Sequence, residues 1–277
     1  GSFLSIYTQG ITAASRSTHG TMDINDDGEL VLKATGWDKL YIPPAAESKY
    51  AISGKETQLL SVKLGNDESI QSEPGTMVYF TDGTKATVSC EGFCGRCCAG
   101  EACYVVNYAN DGRRSDRTAY VGLSPTFPTA KVVPVDLSSA DVGGSLICQQ
   151  GAFMASYGEV EIASSFDFNL KRCCCAGLGL VRQNLKGSGI AFLAATGTIV
   201  QKVLLEGEVI VVDTNCVLAF AKSAKLDVKK AGGIIGMFGG GEGIFNTTLT
   251  GPGLVLVQSM NEIMFREALV ADKMYRR

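Results

Sequence analysis

Glu73-Pro74-Gly75-Thr76-Met77-Val78-Tyr79 decides the reading of this chain, because its pattern returns twice. The second copy is Gln149-Gln150-Gly151-Ala152-Phe153-Met154-Ala155 and the third is Asp213-Thr214-Asn215-Cys216-Val217-Leu218-Ala219. Each is a strand that ends in a turn and re-enters as a strand. A second phrase follows 26 or 27 residues later, a small-residue loop entering an apolar strand: Ala99-Gly100-Glu101-Ala102-Cys103-Tyr104, Ala176-Gly177-Leu178-Gly179-Leu180-Val181 and Gly240-Gly241-Glu242-Gly243-Ile244-Phe245. Copies 64 to 77 residues apart with a fixed internal spacing mean one supersecondary unit used three times, each too small to bury its own apolar face. The expected fold is all-β: three related antiparallel β units, attenuator-like β-sandwich repeats, packed around a pseudo-threefold axis. Gly75, Gly151 and Asn215 are expected to be equivalent structural turns, and Gly100, Gly177 and Gly241 equivalent loop positions. Asparagine is the usual substitute where a turn needs positive φ, so Asn215 is expected to do what glycine does in the other copies.

Working outward, residues 1–40 read as a polar, partly extended lead segment, 41–260 as the triplicated β domain, and 261–277 as a C-terminal amphipathic helix. Alternation such as Leu60-Ser61-Val62-Lys63-Leu64 before Gly65-Asn66-Asp67-Glu68 indicates half-buried antiparallel strands. Val203-Leu204-Leu205, the turn Glu206-Gly207-Glu208 and Val209-Ile210-Val211-Val212 repeat that reading. An acid, Glu68 or Glu208, stands seven residues before Gly75 or Asn215. After Ser259 the spacing of Ile263, Met264, Ala268, Val270 and Met274 among charged residues fits a helix of about four turns.

Composition narrows the function classes. The chain has 277 residues, 45% hydrophobic and 19% charged, enough to build a sizeable core. Net charge is −3, and the basic pairs Arg113-Arg114, Lys229-Lys230 and Arg276-Arg277 are scattered, which argues against nucleic-acid binding, since phosphate recognition needs clustered cations. No run approaches the 18 to 20 apolar residues of a membrane-spanning helix. Gly1-Ser2 reads as an added leader, so a native targeting sequence is left open. Glycine, at 33 residues against seven prolines, points to turns and close backbone approaches.

The side chains that could carry chemistry are sparse. His19 is the single histidine and lies in the polar lead segment, which leaves Ser-His-Asp, Cys-His and histidine-based metal schemes without an imidazole in a formed site. No catalytic residue and no cofactor-binding residue is assigned. Of ten cysteines, Cys94-x-x-Cys97-Cys98 and Cys173-Cys174-Cys175 occupy equivalent stretches, where the third copy has Ile235-Gly236-Met237-Phe238. Adjacent cysteines do not readily pair with each other, so a reduced compartment is expected. Burial as small hydrophobes is one reading of these residues. Others are Zn or Cu binding through Cys94, Cys97, Cys98, Cys173, Cys174 and Cys175, thiol redox switching, and S-acylation. Asp23 to Gly28 opens like an EF-hand loop but lacks its twelfth-position acid, Ala34 standing there, and reads as a hairpin turn. Gly232, Gly236 and Gly240 read as a glycine-rich turn rather than a helix-contact motif, and Gly177-x-Gly179 and Gly239-Gly240-Gly241 lack the order of a phosphate loop.

The phrase Glu73 to Tyr79, the run Gly151 to Ala155 and the stretch from Gly239-Gly240-Gly241-Glu242-Gly243 to Leu249-Thr250-Gly251-Pro252-Gly253 resemble the altered-inheritance-of-mitochondria-24 family, grouped with tryptophan RNA-binding attenuator-like folds. The resemblance covers about residues 40–260. It implies repeated small antiparallel sheets, no enzymatic role, and an association with mitochondria and inner-membrane organisation. The cysteine clusters, and Leu178 where the other copies have Glu101 and Glu242, depart from the family pattern. RNA or tryptophan binding does not transfer with the name of a fold group.

These readings converge on a non-catalytic scaffold or assembly protein with protein partners that include itself, and with peripheral membrane contact allowed. A thiophilic metal-binding or redox-sensing protein is the alternative, and a small-molecule-binding β module a third. Localisation is expected to be mitochondrial from the resemblance, with the cytoplasm as the alternative. Ile234-Ile235-Gly236-Met237-Phe238 is the expected homo-oligomer interface.

Overall fold

The computed structural model describes residues 38–39, 49–90, 102–112, 118–165, 182–230, 245–260 and 265. The chain divides into residues 1–36, which lie outside the described set, and residues 37–277. The second unit is built from antiparallel strands. After β1 (Asp38–Lys39) and β2 (Tyr50–Ser53) comes a first run: β3 (Leu59–Leu64), β4 (Ser69–Ser72), β5 (Met77–Phe80), β6 (Thr84–Ser89), β7 (Val105–Asn110) and β8 (Ala119–Leu123). A second run comprises β9 (Lys131–Asp136), β10 (Ser145–Gln149), β11 (Phe153–Tyr157), β12 (Val160–Ser165), β13 (Arg182–Gly187) and the first half of β14 (Ile190–Leu204). The third takes the second half of β14, then β15 (Val209–Asp213), β16 (Val217–Ala221), β17 (Lys225–Lys230), β18 (Phe245–Thr250) and β19 (Gly253–Met260).

The pairings recur from run to run. Second strands pair with fifth strands as β4–β7, β10–β13 and β15–β18. Third strands pair with sixth strands as β5–β8, β11–β14 and β16–β19. In those three pairings the register slips between Met77 and Tyr79, between Phe153 and Ala155, and between Val217 and Ala219. The slipped residue is therefore Val78, Met154 or Leu218, always three positions after Gly75, Gly151 or Asn215. A bulge at a fixed distance from a turn re-aims the strand the same way each time.

Runs also join one another by strand pairing, β4 to β11 and β10 to β16. The long β14 serves two runs at once: Ile190–Ala195 pair with β9, and Ile199–Leu204 pair with β19. Gly197 lies at the changeover with φ +73°. Alternation sends Leu60, Val62 and Leu64 inward, where they meet Met154, Ala155 and Phe192 from the second run. A second cluster gathers Leu146, Leu185, Leu193, Leu218 and Leu256 from the second and third runs. Each such fully buried side chain contributes about 1.5–3 kcal/mol, so the apolar faces are satisfied between runs as the short unit length requires.

The turns correct one expectation. Gly75 and Gly151 have φ +84° and +76°. Pro-Gly at 74–75 suits a type II turn, and the Ala152 amide donates to the Gln149 carbonyl at 3.1 Å across the matching four residues. Asn215 does not take positive φ. It sits in a right-handed 3-10 turn, Thr214–Cys216, capped by Asp213, whose carboxylate accepts from the Asn215 amide at 2.7 Å. The capping carboxylate stabilises a different turn conformation, so no glycine-like residue is needed. The expected helix over 261–277 lies outside the described residues except Phe265, whose ring meets Phe127 edge-on at 5.4 Å.

Candidate interaction surface

The recurring pairings make each third strand a control for the others. β11 has four of its five residues buried and β16 has all five, because β4 and β10 cover their free edges. The corresponding β5 is exposed at every residue: Met77 44%, Val78 56%, Tyr79 39% and Phe80 42%. Met-Val-Tyr-Phe is as apolar as Phe-Met-Ala-Ser or Val-Leu-Ala-Phe; what differs is that no strand among the described residues covers it. Among the described residues β5 pairs only with β8, and β15 only with β18, so each ends a sheet. Val209 and Val211 of β15 are 53% and 64% exposed. Contiguous exposed apolar strand edges are unusual on a monomer and mark interaction surfaces.

The β5 strip is held in place. Gly122 on β8 lies opposite Tyr79, and a Cβ there would collide with the Tyr79 ring, so the glycine is the floor on which the aromatic rests. The Tyr79 hydroxyl lies 3.1 Å from the Ser61 hydroxyl, and the Phe80 ring is 5.9 Å from that of Tyr108. Beyond the strand, the Thr81 amide donates to the Tyr120 carbonyl and the Tyr120 amide to the Thr81 hydroxyl, both at 2.9 Å. Such fixed aromatics lose little rotamer freedom on association.

The hairpin before β15 is fixed by Glu208, which accepts from the Leu205 amide at 2.9 Å and pairs with Lys202 at 2.8 Å. Glu68 does the same before β4, accepting from the Gly65 amide at 2.7 Å and pairing with Lys49. The lysine hydrogen bond holds each carboxyl below its ordinary range, and Glu68 pushes Lys49 up to about 12. The acids stood out in the sequence at matching positions. Their lysines did not, since Lys49 is 19 residues from its partner and on a different strand connection.

Arg182 is a second unusual feature, missed by sequence reading. It is 5% exposed, its Nε and Nη1 have no hydrogen-bond partner among the described residues, and its guanidinium stands 5.5 Å from the centre of the Phe220 ring. Burial pushes its pKa down to about 10. Its only sequence signal is a charge at the mouth of an otherwise uncharged stretch. Nearby, Cys148 is buried and lies 3.8 Å from the Gln183 side-chain oxygen.

The metal candidates Cys94, Cys97, Cys98, Cys173, Cys174 and Cys175 lie outside the described residues, as do Gly100, Gly177, Gly241 and the loop Ile234–Phe238. Among the described residues no group of three or more His, Cys, Asp or Glu side chains is placed to hold a metal ion. Cys90, Cys148 and Cys216 are not in disulfides, whereas Cys103 is disulfide-bonded, which runs against the expected reduced compartment. Burial, and then Asp213, raise the Cys216 thiol pKa and make it less reactive. Among the described residues no helix is long and apolar enough to cross a membrane.

Comparison with known proteins gives a family and a fold. The family described as Mitochondrial biogenesis AIM24 matches residues 50–260. An uncharacterized protein of Streptococcus pyogenes serotype M6 is 24% identical over 223 residues, covering 76% of this chain and 85% of that one. The crystal structure of a Streptococcus pyogenes protein has a TM-score of 0.62 with 23% identity, covering 80% of this chain and 98% of that one.

Proposed function

Because the chain belongs to the mitochondrial biogenesis AIM24 family, and because its β5 strip lies open where the matching strands are buried, we propose that it is a non-catalytic scaffold or assembly protein. Its three runs are read as related units around a pseudo-threefold axis, supported by the bulge repeated at Val78, Met154 and Leu218. The open strip is the observation that carries the reading. A rigid apolar surface on a framework of capped hairpins and paired strands suits holding partners in place, with no cofactor and no nucleic acid. A mitochondrial location rests on the family description, with the cytoplasm as the alternative, and any membrane contact would be peripheral.

The test is the native mass of the protein in its own cells. In a lysate resolved on a native gel, the chain should migrate well above 29.2 kDa, and Tyr79→Lys with Phe80→Lys should move it down without lowering its abundance. Migration at the mass of one chain for both forms would overturn the assembly reading. The thiol alternative is separable by metal analysis of chelator-free protein: stoichiometric Zn or Cu, lost when Cys97 and Cys174 are replaced by Ser, would favour it.

A further inference from the structure

The two junctions between runs obey one rule. In the β4–β11 junction Ala155 lies opposite Ser72, and in the β10–β16 junction Ala219 lies opposite Cys148. Ala155 and Ala219 are each four residues after their own turn position, Gly151 and Asn215. Ser72 and Cys148 are each three residues before theirs, Gly75 and Gly151. The next pairs, Ser156 with Gln71 and Phe220 with Ile147, and then Tyr157 with Ile70 and Ala221 with Leu146, keep the same offset. A register shared by two junctions of different sequence is set by the backbone of the unit rather than by particular side chains. It therefore specifies the third junction, whose two halves are β5 and β15.

Resting on the assembly reading above and naming its partner, we infer that β5 of one copy pairs antiparallel with β15 of a second copy of this chain. Tyr79 is set opposite Val212, Phe80 opposite Val211 and Thr81 opposite Ile210. Three observations carry this. Both halves are present on every chain and, among the described residues, they do not pair with each other, although the other two junctions are made. β5 is exposed at every residue where β11 and β16 are buried, and β15 exposes Val209 and Val211 while Ile210 and Val212 are half-buried against the third cluster. Neither Met77–Phe80 nor Val209–Val212 carries the lysine or proline that natural proteins use to blunt an edge strand. Because the halves differ, the contact is head to tail, and each copy offers one of each.

The experiment uses the full chain with a benzophenone-bearing phenylalanine in place of Phe80. Unlabelled and 15N-labelled protein are mixed and illuminated, and the cross-linked peptides are read by mass spectrometry. The expected links run from position 80 to residues 209–212 and join peptides of unlike isotope, while light scattering gives a mass of two or more chains. Phe80→Lys and Val211→Glu should each weaken association roughly tenfold or more. Their combination should regain association, which a variant that failed to fold would not do. Links confined to peptides of like isotope would show a chain pairing with itself and reject the second copy. So would links elsewhere, or the mass of one chain at every concentration. A purified monomer whose cellular complex still collapses on Tyr79→Lys with Phe80→Lys would reject this inference alone and leave the assembly reading standing.

Discussion

Replacing the three turn residues in turn separates backbone conformation from residue identity. At Gly151 a Cβ would have nothing within 4 Å, and at Gly75 only the Thr126 methyl at 3.6 Å, an ordinary contact. The cost of alanine at either is thus the left-handed backbone itself, φ +76° and +84°, worth about 1–2 kcal/mol. In a chain of this size each kcal/mol lowers the melting temperature by about 2–4 °C. Asn215 behaves oppositely. If it replaced glycine at positive φ, Asn215→Gly would relieve strain and raise stability. In its right-handed 3-10 turn, glycine adds only unfolded-state freedom, so Asn215→Gly should destabilise by about 0.5–1 kcal/mol. Asp213→Ala, which removes the carboxylate bonded to the Asn215 amide, should cost about 0.5–2 kcal/mol. Urea unfolding followed by tryptophan fluorescence and circular dichroism measures all four. A more stable Asn215→Gly, or a neutral Gly151→Ala, would refute the reasoning.

Arg182→Met should raise stability by about 1–2 kcal/mol, because it removes a buried charge whose Nε and Nη1 are unpartnered among the described residues, less the loss of the Phe220 contact. Burial holds the folded guanidinium at about 10, below its ordinary value, so the penalty is complete below pH 10. The gap between variant and wild type should therefore narrow as pH rises above 10, and a less stable Arg182→Met would show that the cation is stabilising. Glu68→Gln tests the hairpin cap: the folded carboxyl lies below 4.5, so its contribution is present above that pH and disappears as pH falls through the folded value. Urea midpoints of wild type and variant should differ at about pH 7 and coincide at about pH 2. Gly187→Ala should cost about 3 kcal/mol or more by denaturant titration, since φ is +140° and a Cβ would strike the Glu159 carbonyl; a stable variant would mean that the backbone where Gly187 meets Glu159 yields easily.

Strand alternation in Leu60-Ser61-Val62-Lys63-Leu64 and the turn glycines at 75 and 151 were legible because each depends on residues within a few positions. Asn215 was misread because its conformation is decided by a neighbour, Asp213, whose carboxylate caps a turn of the other hand. The junction register was invisible because it lies in backbone pairing between residues more than 70 positions apart, such as Cys148 with Ala219 and Ser72 with Ala155. The candidate surface was harder still. Met77-Val78-Tyr79-Phe80 reads as core by every local measure, and it is exposed because no strand among the described residues covers its outer edge. The other apolar candidate, Ile234–Phe238, lies outside the described residues, and hydrophobicity alone does not distinguish a buried strand from one awaiting cover.

The shared strand β14 has a consequence for how the protein comes apart. Its fifteen residues are continuous through the second and third runs, so neither can melt without pulling the other's ladder open. Among the described residues the first run shares no strand with the others; it joins the second through the three pairs of β4 with β11, the Glu73 amide bonded to the Met154 carbonyl, the Val132 amide bonded to the Gln58 side chain, and the packing of Leu60, Val62 and Leu64. The lowest-energy opening is then a peeling of the first run from an intact remainder. That opening would carry β5 away with the first run and leave β15 in place on the remainder.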